Sequence, residues 1–289
     1  MTHIHHVFIA MRRETAVFLL QSLVTCAFGQ TAHEVSPFEI RQHSTLVGGG
    51  ISNVLDTYLS PYNYTGEHAT FIYEMQRPLH RFATDSLHPK LKLRQLIRID
   101  GIHAKNPARN MTEWAGGLDY SLTWLYTLTP QSPAQTFSIE TGPMLSAYLG
   151  GIYNEHNGNN PAQAKASLTL QWAVRSSLHF QIFQRNTLLQ YTLSAPVVGM
   201  AFSPAYGQSY YEAFGLGHYD HNLVFAHPFN MPSMQHLITL DVPLHPVRSA
   251  TSLRIGYAAD FMQSKFNGLR YHNYSHTLLI GVTRFFKRL

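Results

Sequence analysis

Serine and histidine stand close together twice in this chain, and that pairing is the minimum needed to activate a hydroxyl nucleophile. Within Tyr271-His272-Asn273-Tyr274-Ser275-His276, His272 and Ser275 could share a strand end. Within Gly207-Gln208-Ser209-Tyr210, Ser209 is followed by Glu212 and His218. An imidazole takes the serine proton, and a third polar group orients the ring, which is the chemistry of ester hydrolysis. The chain has 18 histidines, so such pairs also arise by chance. Hydrogen bonding at a water interface is the plain alternative for both.

His218-Tyr219-Asp220-His221 offers three donors to zinc or another divalent ion. On a strand, His218 and Asp220 would share a face while His221 points away, so only a loop could gather all three. We expect no metal and no cofactor. Lys92, Arg94 and Arg98 fall on alternate positions and place three cations on one face of one strand. That row could attract an anionic solute or a lipid phosphate. The leading reading is a structural charge ladder, because the same face receives Glu74, Asp100, Asp119, Glu140, Lys165, Arg175, Asp241, Arg254 and Asp260. Unpaired buried charge is costly, so mixed signs predict pairing across an interior.

The elements that must position these residues are strands. Ala166, Leu168, Leu170, Trp172 and Val174 interleave with Lys165, Ser167, Thr169, Gln171 and Arg175, a period of two. The same alternation runs through Leu118–Leu128, Phe137–Leu149, Ile238–Leu244 and Leu253–Phe261. Such segments are longer than the roughly 5–6 residues usual in soluble sheets. They match the roughly 9–11 residues of a tilted membrane strand. Charged residues are only 13% of the chain, yet no run approaches the roughly 20 apolar residues of a spanning helix. An antiparallel up-and-down transmembrane β-barrel satisfies both observations; a soluble sandwich is the rival fold.

The spacing predicts twelve strands, near 36–48, 67–78, 90–103, 113–128, 135–150, 164–175, 177–192, 195–204, 213–226, 234–245, 251–264 and 274–287. Ten or fourteen stay open, because Pro196, Pro204 and three glycines blur 193–215. Thr129–Ala134, Arg175-Ser176-Ser177 and His245–Ala250 read as short turns. Asn53–Gly66, Asn154–Pro161 and Phe266–Tyr274 read as longer outer loops. Tyr58, Tyr62, Trp114, Tyr126, Tyr153, Tyr271 and Tyr274 would suit interfacial girdles.

The ends carry address signals. Arg12 and Arg13 precede a short apolar core from Val17 to Phe28, and Ala27-Phe28-Gly29 resembles a signal-peptidase site. Residues 1–29 therefore read as an export signal, with translation starting at Met11, and 30–289 as one barrel domain. Cys26 is the single cysteine; its removal leaves no thiol, which suits an oxidising periplasm. Leu23-Val24-Thr25-Cys26 leaves a lipidated cysteine as an alternative. The last strand alternates through Leu278, Ile280, Val282 and Arg284 to Phe286, the kind of ending that barrel-assembly machinery engages by strand pairing. The formal net charge of +5 is spread along the chain, so nucleic acid is not an expected partner; outer-membrane lipid is.

Two further segments, Asp56-Thr57-Tyr58-Leu59-Ser60-Pro61 with Tyr64-Thr65-Gly66, and Phe202-Ser203-Pro204-Ala205-Tyr206-Gly207-Gln208-Ser209-Tyr210-Tyr211-Glu212, carry a resemblance. With the ending Tyr274-Ser275-His276 to Arg284-Phe285-Phe286, the chain resembles an uncharacterised Bacteroidota family known as a domain of unknown function with an export signal. The resemblance implies a bacterial source and an outer-membrane location, and no reaction. A binding, anchoring or scaffolding barrel with a largely closed lumen is the expected function. A Ser/His lipid hydrolase and a small-solute channel are the alternatives.

Overall fold

The computed structural model describes residues 40–79, 90–129, 136–158, 160–183, 185–219, 221–245 and 250–287. Residues 1–29, where the sequence suggests an export signal, lie outside them with Met11 and Cys26, as does Asp220. The described chain forms eleven strands: β1 (Ile40–Asp56), β2 (Tyr64–Pro78), β3 (Leu91–Lys105), β4 (Thr112–Thr127), β5 (Phe137–Asn154), β6 (Ala162–Ile182), β7 (Arg185–Phe202), β8 (Leu223–Ala226), β9 (Met234–Pro243), β10 (Thr251–Phe266) and β11 (Leu269–Lys287). Consecutive strands pair antiparallel, save that β9 pairs β7 in place of β8, and β1 pairs β11 from Ile40↔Lys287 to Asp56↔Tyr271, which closes the sheet on itself. Ten strands form the barrel. β8 pairs only β7, over Gly199–Phe202, and stands outside that cycle.

The expected twelve strands become ten plus one for identifiable reasons. Arg175-Ser176-Ser177 is no turn: β6 runs through it for 21 residues, and the chain reverses at Phe183, whose φ is 48°. Arg175 and Ser177 simply continue the inward row, so their polarity marks the lumen and not a turn. Nor does Pro196 interrupt β7. It pairs Gln171 while Val198 pairs Leu170, so Val197 bulges out and spares the ladder. The stretch 213–226 yields only the end of a π-helical turn, Tyr211–Gly215, and the four residues of β8.

Phe266–Tyr274, expected as a long loop, is the tight turn Asn267-Gly268 between β10 and β11. Both residues have positive φ, 50° and 78°, as a type I′ hairpin demands. Meanwhile the β2–β3 connection, on the opposite rim, spans 79–90. Connection lengths therefore do not alternate as expected.

Outside the bulge at Val197, side chains largely alternate between the two faces of the wall. Leu118, Leu149, Leu168, Trp172, Ile255, Leu278 and Ile280 are exposed on the outside, while buried side chains are predominantly polar. A soluble sheet protein has the reverse arrangement. Within the lumen the Tyr148 ring lies across two glycines. A Cβ at Gly117 would come within 2.6 Å of the ring, and one at Gly150 within 2.9 Å. The absent side chains make room for the aromatic.

Candidate functional site: the charged lumen

Glu74, on the inward row of β2, is buried, and three arginines converge on it. Arg94 of β3 donates from Nε at 2.7 Å, Arg175 of β6 from Nη2 at 3.1 Å, and Arg254 of β10 from Nη1 at 3.0 Å. Arg254 also holds Asp241 of β9 bidentately, at 2.7 and 2.6 Å. Arg175 further donates to Gln76 and Thr192, and Thr283 of β11 donates to Asp241 at 2.7 Å. One carboxylate thus ties together strands from separate parts of the wall. Charge-assisted, multidentate bonding is what permits ions at such burial.

A second tier lies toward the other rim. Arg98 bonds Asp260 of β10 at 2.5 Å and Asp100 at 2.9 Å. His68 Nε2 lies 2.9 Å from Asp100, and its Nδ1 lies 3.1 Å from Thr277 Oγ1. Asp119 accepts from Ser146 at 3.0 Å. In a third tier Lys165 of β6 reaches Asp56 of β1 at 2.7 Å and sits 4.2 Å over the Tyr271 ring. Asn154 donates to Glu113 at 3.2 Å and to Tyr64 at 2.9 Å. Above it Leu59, Tyr64 and Ile102 form an apolar cluster with Val54 and Ile152.

All twelve charges assigned to the interior by alternation face it. Lys92, Arg94 and Arg98 do form one inward row, and each is engaged: Lys92 by Glu140, Arg94 by Glu74, Arg98 by Asp100 and Asp260. The row therefore presents no free cation to a solute. Asp56 and Glu113 also face inward and escaped the sequence reading, because each lies within two residues of a strand end where alternation is short.

The serine–histidine pairs are not assembled. Ser275 and His272 are three apart on β11 and so face opposite sides of the wall. Ser275 donates to Asp260 inside the lumen at 3.2 Å. His272 bonds Asn53 at 2.8 Å outside and stacks on Tyr274 at 4.4 Å. Ser209 makes a reciprocal cap with Glu212: its N–H and hydroxyl donate to the carboxylate at 2.7 and 3.1 Å, and its Oγ accepts from the Glu212 N–H at 3.2 Å. The two Ser209 bonds hold the Glu212 carboxyl below the ordinary glutamate range. His218 meets this turn through backbone atoms, its N–H bonding Glu212 O and its carbonyl Gln208. Ser-x-x-Glu is a capping box, and that signal was present in the sequence.

His218 and His221 lie in the same loop, and no three-residue metal-binding group occurs among the described residues. Of the expected girdle aromatics, Trp114, Tyr126 and Tyr153 are exposed outward, and Tyr62 is exposed in the β1–β2 connection. Tyr271 instead points into the lumen beneath Lys165. Tyr58 donates to Gln208 O at 2.9 Å, loop to loop, and burial pushes its phenol up to about 12. Phe286 lies outside on β11, edge-on to His43 at 5.1 Å.

A model of the family described as "Protein of unknown function (DUF3316)" matches residues 16–289. No curated protein matches the sequence. Similar solved structures include the outer membrane protease OmpT from Escherichia coli, at 9% identity and a TM-score of 0.46, covering 89% of this chain and 99% of that one. The transport unit of the autotransporter AIDA-I from Escherichia coli is similar at 8% identity and a TM-score of 0.48, covering 91% and 94%. The translocator domain of autotransporter NalP from Neisseria meningitidis follows at 9% and 0.40, covering 96% and 97%. The barrel itself is defined by the chain's own hydrogen-bond ladder.

Proposed function

The chain belongs to that family, and on this premise we propose that it is a bacterial outer-membrane barrel with a closed lumen, serving binding, anchoring or scaffolding. Its apolar outer face supports burial in lipid, and residues 1–29 would supply the export signal. The terminal strand β11, ending near Phe286 and closing the barrel against β1, is the segment the assembly machinery would engage.

One observation carries the closed-lumen reading: Glu74 joins β2 to β3, β6 and β10 through three arginines across the interior. A conducting pore would leave such charges to water. A hydrolase is disfavoured by the opposed faces of Ser275 and His272. Single-channel recording in a planar bilayer tests the reading. The intact barrel gives no unitary conductance; regular open-channel steps would refute closure.

A further inference from the structure

The β10–β11 hairpin carries a pair of like charges at its rim. Lys265 of β10 and Arg270 of β11 are direct cross-strand partners, one rung below the pair that flanks the Asn267-Gly268 turn. Both side chains are exposed on the outer face. Residues directly opposite on one face have Cβ atoms about 4.5–5.5 Å apart, where like charges repel and weaken a sheet. Among the described residues neither side chain enters an ion pair. The backbone holds the two together from either side. Arg270 N–H donates to Thr57 Oγ1 at 2.8 Å, and Lys265 N–H donates to Asn230 O at 2.8 Å. An anion between the two would turn this repulsion into attraction.

Below the pair the same ribbon becomes apolar in a fixed order. The next outward rungs are Gln263↔His272 and Phe261↔Tyr274, and beyond Ala259↔His276 come Tyr257↔Leu278 and Ile255↔Ile280. The Phe261 and Tyr274 rings lie 5.9 Å apart, and His272 stacks on Tyr274 at 4.4 Å. Tyr257, Ile255, Leu278 and Ile280 are exposed. One strip of outer wall thus runs from cations through aromatics to aliphatic side chains. That is the polarity profile of an anionic lipid, read from its head group downward.

We propose that this strip binds a membrane lipid whose head group is a phosphate monoester, with the phosphate between Lys265 and Arg270 and the acyl chains along Tyr257, Leu278 and Ile280. The proposal rests on the barrel reading above, which sets the strip against lipid. Charge selects the head group. A phosphate monoester carries about −1.5 to −2 at pH 7, which complements two cations, whereas a phosphodiester carries a single charge. Arg270 can bond two phosphate oxygens as a fork, and Lys265 adds a point charge beside it. The apolar rungs select a lipid over free phosphate, which would gain nothing from them.

The test is native mass spectrometry of the folded barrel in detergent, with phosphatidic acid and phosphatidylglycerol of equal chain length offered together. Phosphatidic acid should be retained about tenfold over phosphatidylglycerol, the worth of one charge-assisted hydrogen bond. Lys265→Gln combined with Arg270→Gln should bring that ratio close to one, and Lys265→Arg should keep it. Lys105→Gln, which removes an exposed cation of β3 at the same rim, should leave it unchanged. Inorganic phosphate in large molar excess should not displace the lipid. Equal retention of the two lipids, a preference that survives the double variant, or displacement by phosphate alone would overturn the proposal. Heat-modifiable migration of each variant separates loss of the lipid site from loss of the barrel.

Discussion

Glu74 and Arg254 lie 180 residues apart in the chain and meet at 3.0 Å inside the lumen, where Arg254 also clasps Asp241. Neighbouring Arg94 and Arg175 share the same carboxylate, so one acid neutralises part of three buried cations. Removing it takes the paired carboxylate from Arg94 and Arg175 and leaves Arg254 with Asp241 alone. Glu74→Ala should cost about 3–5 kcal/mol of stability, the range for breaking a buried pair on one side. Urea titration of the refolded protein, read as loss of the folded band, measures the shift. An unchanged midpoint would mean that water screens the network.

Two glycine substitutions should separate packing from backbone freedom. Gly150→Ala drives a Cβ against Gly116 O, at 2.5 Å, and the Tyr148 ring. It should destabilise by about 1–3 kcal/mol, as overpacking does. Gly101 has nothing within 4 Å of its Cβ position. Gly101→Ala should therefore be neutral or slightly stabilising in the same titration. Equal effects from both would contradict the placement of Tyr148.

The Ser209–Glu212 cap gives a pH prediction with a fixed sign. The folded pKa of Glu212 is depressed, so its support of the turn is complete above the ordinary carboxylate range. That support fades as pH falls through the depressed value. Ser209→Ala should return the Glu212 carboxyl to its ordinary titration, visible by NMR of labelled glutamate, and should raise protease cutting in 203–222. Retention of the depressed titration in the variant would exclude the cap.

Neither Ser275→Ala nor Ser209→Ala should alter any release of fatty acid from phospholipid. Ser275 is bonded to Asp260, and no imidazole contacts either hydroxyl among the described hydrogen bonds. Loss of a measured lipase activity in either variant would reinstate the hydrolase.

Alternation made much of this legible from residues alone. Lys92, Arg94 and Arg98 could be set on one face with Glu74 and Arg254 because a strand forces successive side chains apart. Their pairing could not be read, since it depends on barrel closure and stagger that no local pattern encodes. Arg175-Ser176-Ser177 misled because lumen polarity and turn polarity use the same residue types. Asn267-Gly268 carried a hairpin signal, but the Asn, Gly and Tyr content of the whole segment suggested a longer loop. The short β8 was hidden for a related reason: β8 and β9 read as separate full strands until their shared partner β7 was known.

Gel migration of the protein extracted in detergent, unheated against boiled, tests the membrane barrel most directly. A closed sheet with apolar exterior and ion-paired interior should resist the detergent, run as a compact faster band, and shift only on boiling. It should also remain insoluble without detergent. Identical migration before and after boiling, in a protein recovered in plain aqueous buffer, would contradict the account.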